Sequence, residues 1–178
     1  KLLTCLKDKR WRVREQAAKT LGELHAPEAV QGLMIVCRDR DGAVKSAAAE
    51  ALGKIGDPRA IPTLIKLFKD TSKIARETAG TALMYIGAPS VDALLETLKD
   101  PHFVVRCHGV RALGGMTTDY QMGKPWVKEP RVVEALIAMI KDPDRAVRED
   151  ATIALGNIGD PLAIDALMEA MKDGTVKR

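Results

Sequence analysis

The chain has 178 residues, enough for one domain or at most two, with 46% apolar residues to bury and only 3% aromatic. Its net charge of +4, drawn from 29% charged residues of both signs, is too mild to argue by itself for a nucleic-acid or anionic-membrane partner. Three cysteines, odd in number and widely spaced, argue against a disulfide framework and point to a reducing, cytoplasmic setting, and no apolar run approaches the roughly 18 residues of a spanning helix.

The apolar residues are Ala, Leu, Ile, Val and Met, which suit helix packed on helix, and no Val- and Thr-rich strand pattern is present. An Asp closes each of a series of first helices, at Asp8, Asp39, Asp70, Asp100, Asp142 and Asp173, with intervals of 31, 31, 30, 42 and 31 residues. Six positions after each of the first five stands a base: Arg14, Lys45, Arg76, Arg106 and Arg148. A fixed period of this size means stacked helix pairs, because one pair cannot bury its own apolar face.

In chain order the spacing predicts first helices over 1–7, 28–38, 59–69, 90–99, 131–141 and 162–172. Val30, Leu33, Met34 and Cys37 show the one-stripe pattern, and Val133, Leu136, Ile137 and Ile140 repeat it. Second helices, richer in Ala, are predicted over 11–24, 43–55, 74–86, 103–114 and 145–158. Asp57-Pro58 and Asp160-Pro161 read as helix starts, with an acceptor at the cap and a proline where a missing N–H does no harm. Gly56, Gly87 and Gly159 read as stops, and the glycines in general as helix punctuation. Pro62 falls inside a predicted helix, which must begin late or kink there.

The 42-residue interval carries an insertion, Gly114–Glu129, with Tyr120 and Trp126, two of the six aromatics. Two readings stay open: a tolerated surface loop, or an element at the binding edge. Residues 1–8 supply half a first helix, and 175–178 only the start of a sixth second helix, without the polar caps usual in solenoids. A single repeat domain over 1–178 is expected, part of a longer array, with apolar end faces that promote end-to-end association.

The words Ala51-Leu52-Gly53, Ile55-Gly56-Asp57-Pro58, Ala154-Leu155-Gly156 and Ile158-Gly159-Asp160-Pro161, with the Asp-to-base offset, resemble the HEAT-repeat superfamily. The resemblance is to its short-loop type, named after phycobilisome lyases, and it covers essentially the whole chain. It implies an all-α, right-handed α-solenoid of about five and a half helix pairs. Members of that superfamily are mostly protein-interaction scaffolds; some attach bilin chromophores, and others hydroxylate or act on DNA. A di-iron hydroxylase of the superfamily uses repeated His-Glu pairs, whereas here His25, His102 and His108 precede Ala26, Phe103 and Gly109.

No phosphate-binding glycine loop, nucleophile elbow or metal-ligand spacing is present, so no cofactor, metal or catalytic residue is assigned. The bases and acids of the register, Asp8, Arg14, Asp39, Lys45, Asp70, Arg76, Asp100, Arg106, Asp142 and Arg148, read as a structural ladder more than as a phosphate stripe. Each base is within reach of the loop Asp of its own or the neighbouring repeat.

In HEAT folds the second helices line the concave side. Three rows of non-core residues recur there: Gln16, Ala47, Thr78, His108, Asp150; Lys19, Glu50, Thr81, Arg111, Ile153; and Glu23, Lys54, Tyr85, Gly115, Asn157. Mixed polarity suits a protein or peptide partner better than the uniformly basic groove of a nucleic-acid binder. The expected protein-binding residues are Lys19, Tyr85, His108, Arg111, Tyr120 and Trp126. The expected function is a non-enzymatic interaction scaffold, with a bilin lyase subunit as the alternative.

Overall fold

The computed structural model describes residues 1–117 and 129–172, and among them every regular element is a helix. The fold class is the expected all-α solenoid of HEAT-like pairs. The chain divides into two compact units, Lys1–Ala93 and Leu94–Arg178. In the first, α1 (Leu2–Cys5), α3 (Val30–Val36) and α5 (Ile61–Leu67) are first helices. Their partners are α2 (Trp11–Glu23), α4 (Gly42–Ile55) and α6 (Lys73–Ile86). The segment α7 (Val91–Thr97) crosses from the first unit into the second, which holds α8 (Phe103–Thr117), α9 (Pro130–Met139), α10 (Arg145–Ile158) and α11 (Ile164–Lys172).

Local chemistry sets these boundaries. Single 3₁₀ turns, Pro27–Ala29, Pro58–Ala60 and Pro161–Ala163, precede α3, α5 and α11, because proline fixes the backbone where no N–H is needed. Asp57 and Asp160 cap two of them by accepting from the N–H of Arg59 and Leu162. The late start at Ile61 places Pro62 in the first turn of α5, so the helix is neither broken nor kinked there. Gly56 and Gly159 end α4 and α10 in the left-handed conformation, with φ of 75° and 63°. The helix predicted over 103–114 continues to Thr117, so the first residues of the insertion are helical, with Met116 in the core.

The period is visible in the core. Leu33, Leu64, Leu94 and Leu136 occupy one position of successive first helices, and each is fully buried. Leu21, Leu52, Leu83, Leu113 and Leu155 do the same in the second helices. Each such leucine supplies about 1.5–3 kcal/mol of apolar burial.

Not all the glycines are punctuation. Gly22 lies inside α2, where a Cβ would stand 2.7 Å from the Cα of Ala51, and Gly53 inside α4 meets Ala82 in the same way. These two residues let consecutive second helices touch backbone to backbone, a packing distance that any side chain would forbid. Gly114 plays the same part against Ala154 in the second unit.

Gly53→Ala is expected to destabilise the protein by about 1–3 kcal/mol, because overpacking against backbone exceeds the ~1 kcal/mol gain in helix propensity. Gly156 is the internal control. A Cβ there meets nothing within 4 Å, so Gly156→Ala should be neutral or stabilising by up to ~1 kcal/mol. Chemical denaturation of the two variants checks both signs.

Candidate functional site

The ten residues of the Asp and base register occupy the turns and first turns that join first helices to second helices. Arg14, one turn into α2, uses its fork twice. Its Nη1 donates to the carbonyls of Asp8 and Lys9 in its own turn, at 2.8 and 3.1 Å. Its Nε and Nη2 donate to the Asp39 carboxylate of the next turn, at 2.6 and 2.9 Å. Arg106 repeats the arrangement on the carbonyls of Asp100 and Pro101 and on the Asp142 carboxylate. Lys45 donates through one nitrogen to both oxygens of Asp70. Arg76 and Arg148 hold the carbonyls of Asp70 and Thr71, and of Asp142 and Pro143. The Asp8 carboxylate is taken instead by exposed Arg10.

Each carboxylate also accepts an N–H of its own turn: Asp39 from Asp41, Asp70 from Ser72, Asp142 from Asp144 and Asp100 from His102. Such charge-assisted bonds favour the ionised carboxylate. The bond from Arg14 holds the Asp39 carboxyl below the usual range. For Asp70 and Asp142 burial pushes upward, but Lys45 and Arg106, together with the backbone N–H, outweigh it and the net shift is down.

The three outward rows of the second helices do not behave alike. In the first row Ala47 is 2% exposed and His108 only 7%, while Thr78 is half-buried with its hydroxyl 2.8 Å from Ser46 on the neighbouring helix. Gln16 at the start of the row is exposed, but from Ala47 on these positions form a seam between adjacent second helices. His108 is therefore corrected from an outward binding residue to a buried one, because the close helix approach covers its position. Asp150, of the same row, meets the Cys107 thiol and lies 2.9 Å from Arg111 Nε.

The other two rows are open. Lys19 is exposed and paired with Glu15, and Lys54 with Glu50, each pair one helical turn apart. Tyr85 is 40% exposed, and Arg111 and Ile153 are also exposed, Ile153 at 62%. Tyr85 belongs to the first unit, and His108 and Arg111 to the second. Tyr120 and Trp126 lie outside the described residues. The Ser46–Thr78 contact, the seam and the close-approach glycines escaped sequence reasoning. A usable signal existed, since Gly22, Gly53, Gly114 and Gly156 each stand 14 residues after a register Asp.

Among the described residues no three His, Cys, Asp or Glu residues converge as a metal site. Burial pushes the Cys37 thiol up to about 12, and burial followed by the bond to Asp150 does the same for Cys107. Both are neutral small core residues at pH 7.

A family model described as HEAT repeats matches residues 1–84 and 91–178. No curated protein matches the sequence. Among solved structures, the complex of CpcE and CpcF of phycocyanin lyase from Nostoc sp. PCC7120 is similar at 29% identity and TM-score 0.52, over 93% of this chain and 66% of that chain. An engineered protein is similar at 23% identity and TM-score 0.53, over 98% of this chain and 85% of that one. A chain from the structural study of microtubule plus end tracking by XMAP215, CLIP-170 and EB1 shares the fold at 17% identity and TM-score 0.66, over 99% and 91%.

Because Asp39, Asp70 and Asp142 have lowered folded-state pKa values, they bind fewer protons than in the unfolded chain. Their contribution is fully present above the unfolded value of about 4 and is lost as pH falls through the folded values. The melting temperature should therefore hold between about pH 7 and pH 5 and drop below about pH 4. Asp39→Asn should destabilise at pH 7 by roughly 1–3 kcal/mol and flatten part of the acid drop, as thermal melts over pH would show.

Proposed function

The chain belongs to the HEAT-repeat family, and from that premise we propose that it is a non-enzymatic scaffold binding a protein or peptide partner through the face lined by its second helices. The observation that carries this reading is the contrast along α2, α4, α6, α8 and α10. The positions facing the core repeat faithfully as buried Leu and Ala, while the open rows present Lys19, Glu50, Lys54, Tyr85, Arg111 and Ile153. An exposed tyrosine among mixed charges has the composition of a recognition surface. Tyr85 and Arg111 are assigned the anchoring roles, each within its own unit.

A cytoplasmic setting is part of the reading, supported by the free thiols of Cys5, Cys37 and Cys107. Among the described residues no helix is long and apolar enough to cross a membrane. Exposed Leu2 and Leu3, and exposed Ile164, Met168 and Met171 on α11, support self-association through those faces, which sedimentation over a range of concentrations would read out. The 29% identity to the phycocyanin lyase complex supports a second reading, a bilin lyase subunit.

Mixing the protein with a bilin and an apo-phycobiliprotein separates the two, and the scaffold reading expects no covalent coloured product. With a partner recovered from the source cell, Tyr85→Ala should weaken binding roughly tenfold and leave the melting temperature unchanged. Unaltered affinity in both Tyr85→Ala and Arg111→Ala would remove the second-helix face from consideration.

A further inference from the structure

The positive charge of the chain is unevenly placed. Residues 1–93 hold 16 Lys and Arg against 11 Asp and Glu, a net +5, while residues 94–178 hold 12 against 13. Within the first unit the excess gathers at the turns joining α1 to α2, α3 to α4, and α5 to α6. These turns lie side by side. Arg14 bonds Asp39 across one gap, Lys45 bonds Asp70 across the next, and a Cβ on Gly42 would stand 2.5 Å from the Ser72 hydroxyl.

Lys7, Lys9, Arg12, Arg38, Arg40 and Lys73 are exposed along this edge. The carboxylates of the same turns are already engaged: Asp8 by Arg10, Asp39 by Arg14, Asp70 by Lys45, and Asp41 as the cap of α4. Lys73 keeps a loose 3.7 Å pair with Glu77. The cations thus outnumber the acids that face them. Arg12 lies over the ring of Trp11, 5.3 Å from its centroid, and Trp11 is itself 40% exposed.

We propose that this three-turn edge docks an extended acidic segment of a partner protein. Carboxylates fit better than phosphates for a structural reason. In the second and third turns the backbone N–H groups that would cradle a phosphate are occupied, since Asp41 accepts from Ala43 and Val44, Ser72 from Ala75, and Asp39 and Asp70 from the turns themselves; in the first turn Asp8 takes the N–H of Arg10, while the start of α2 carries no side-chain cap. Trp11 is the one exposed aromatic residue at the three turns, Phe68 being fully buried, so the successive platforms that a nucleic-acid strand stacks on are missing. What the edge offers is a row of charges on long, mobile side chains, spread over three stacked turns. This surface is separate from the open rows of the second helices, so its test can fail without touching that reading.

The full chain is titrated with a fluorescent Glu-rich peptide of about 12 residues carrying one Leu, at about 50 and about 200 mM salt. Parallel titrations use a DNA duplex of about 20 base pairs and vesicles of phosphatidylcholine with phosphatidylserine. The peptide is expected to bind and to weaken at the higher salt. Lys9→Glu combined with Arg38→Glu should reduce its affinity roughly five- to tenfold, with an unchanged melting temperature, and Tyr85→Ala should have no effect. If the charge-reversed variant melts lower, the neutral pair Lys9→Gln and Arg38→Gln should still give a smaller loss of affinity. Absent peptide binding at the lower salt, unchanged affinity in both double variants, or tighter binding of duplex or vesicles than of peptide would each overturn the proposal.

Discussion

The structure depends on a base that belongs to two turns at once. Arg14 ties the carbonyls of its own turn to the carboxylate of the next, and Arg106 does the same in the second unit. Side chains of these pairs are between 4% and 11% exposed, so each charge has left most of its water behind. A pair buried to that degree is strongly unfavourable when broken, although its net stabilisation over an apolar alternative is small. What it supplies is register. Only one placement of the next turn satisfies the guanidinium, and the apolar stripes, which would tolerate sliding, are thereby held in one alignment.

Close approach of the second helices follows from the same register. Gly22 and Gly53 fit Ala51 and Ala82 only if the turns are correctly offset, and small residues such as Ala47 and Ala48 fill what space is left. The seam in turn decides which residues are free to meet a partner. It takes up Ala47, Thr78 and His108 and leaves Lys19, Tyr85, Arg111 and Ile153 outside. The candidate surfaces are thus by-products of the packing that builds the pairs.

Much of the fold was legible because it is written several times over. A helix start such as Asp57-Pro58 is weak evidence alone and strong when Asp160-Pro161 repeats it, and both cap as expected. Helix boundaries in the period came within a residue or two for the same reason. The candidate site was less legible. Sequence spacing shows that Ala47, Thr78 and His108 share a position, but not that helices approaching over glycine would bury it. It also left open whether each base meets its own turn or the next, and the arginine fork answers with both. Tyr120 and Trp126 stand outside the described residues, where the period that made everything else readable is interrupted.

Lys45 is the exception among the bases of the first unit. An ammonium has one nitrogen and no fork, so Lys45 grips Asp70 without bracing its own turn as Arg14 does. In a linear array, cooperativity is the sum of nearest-neighbour couplings, and it is limited by the poorest of them. At the step from the second pair to the third the coupling therefore rests more on the helices, where the Ser46 hydroxyl meets that of Thr78 at 2.8 Å and Gly53 packs on Ala82. One ammonium in place of a guanidinium thus moves the hold at that joint from the turns to the helices.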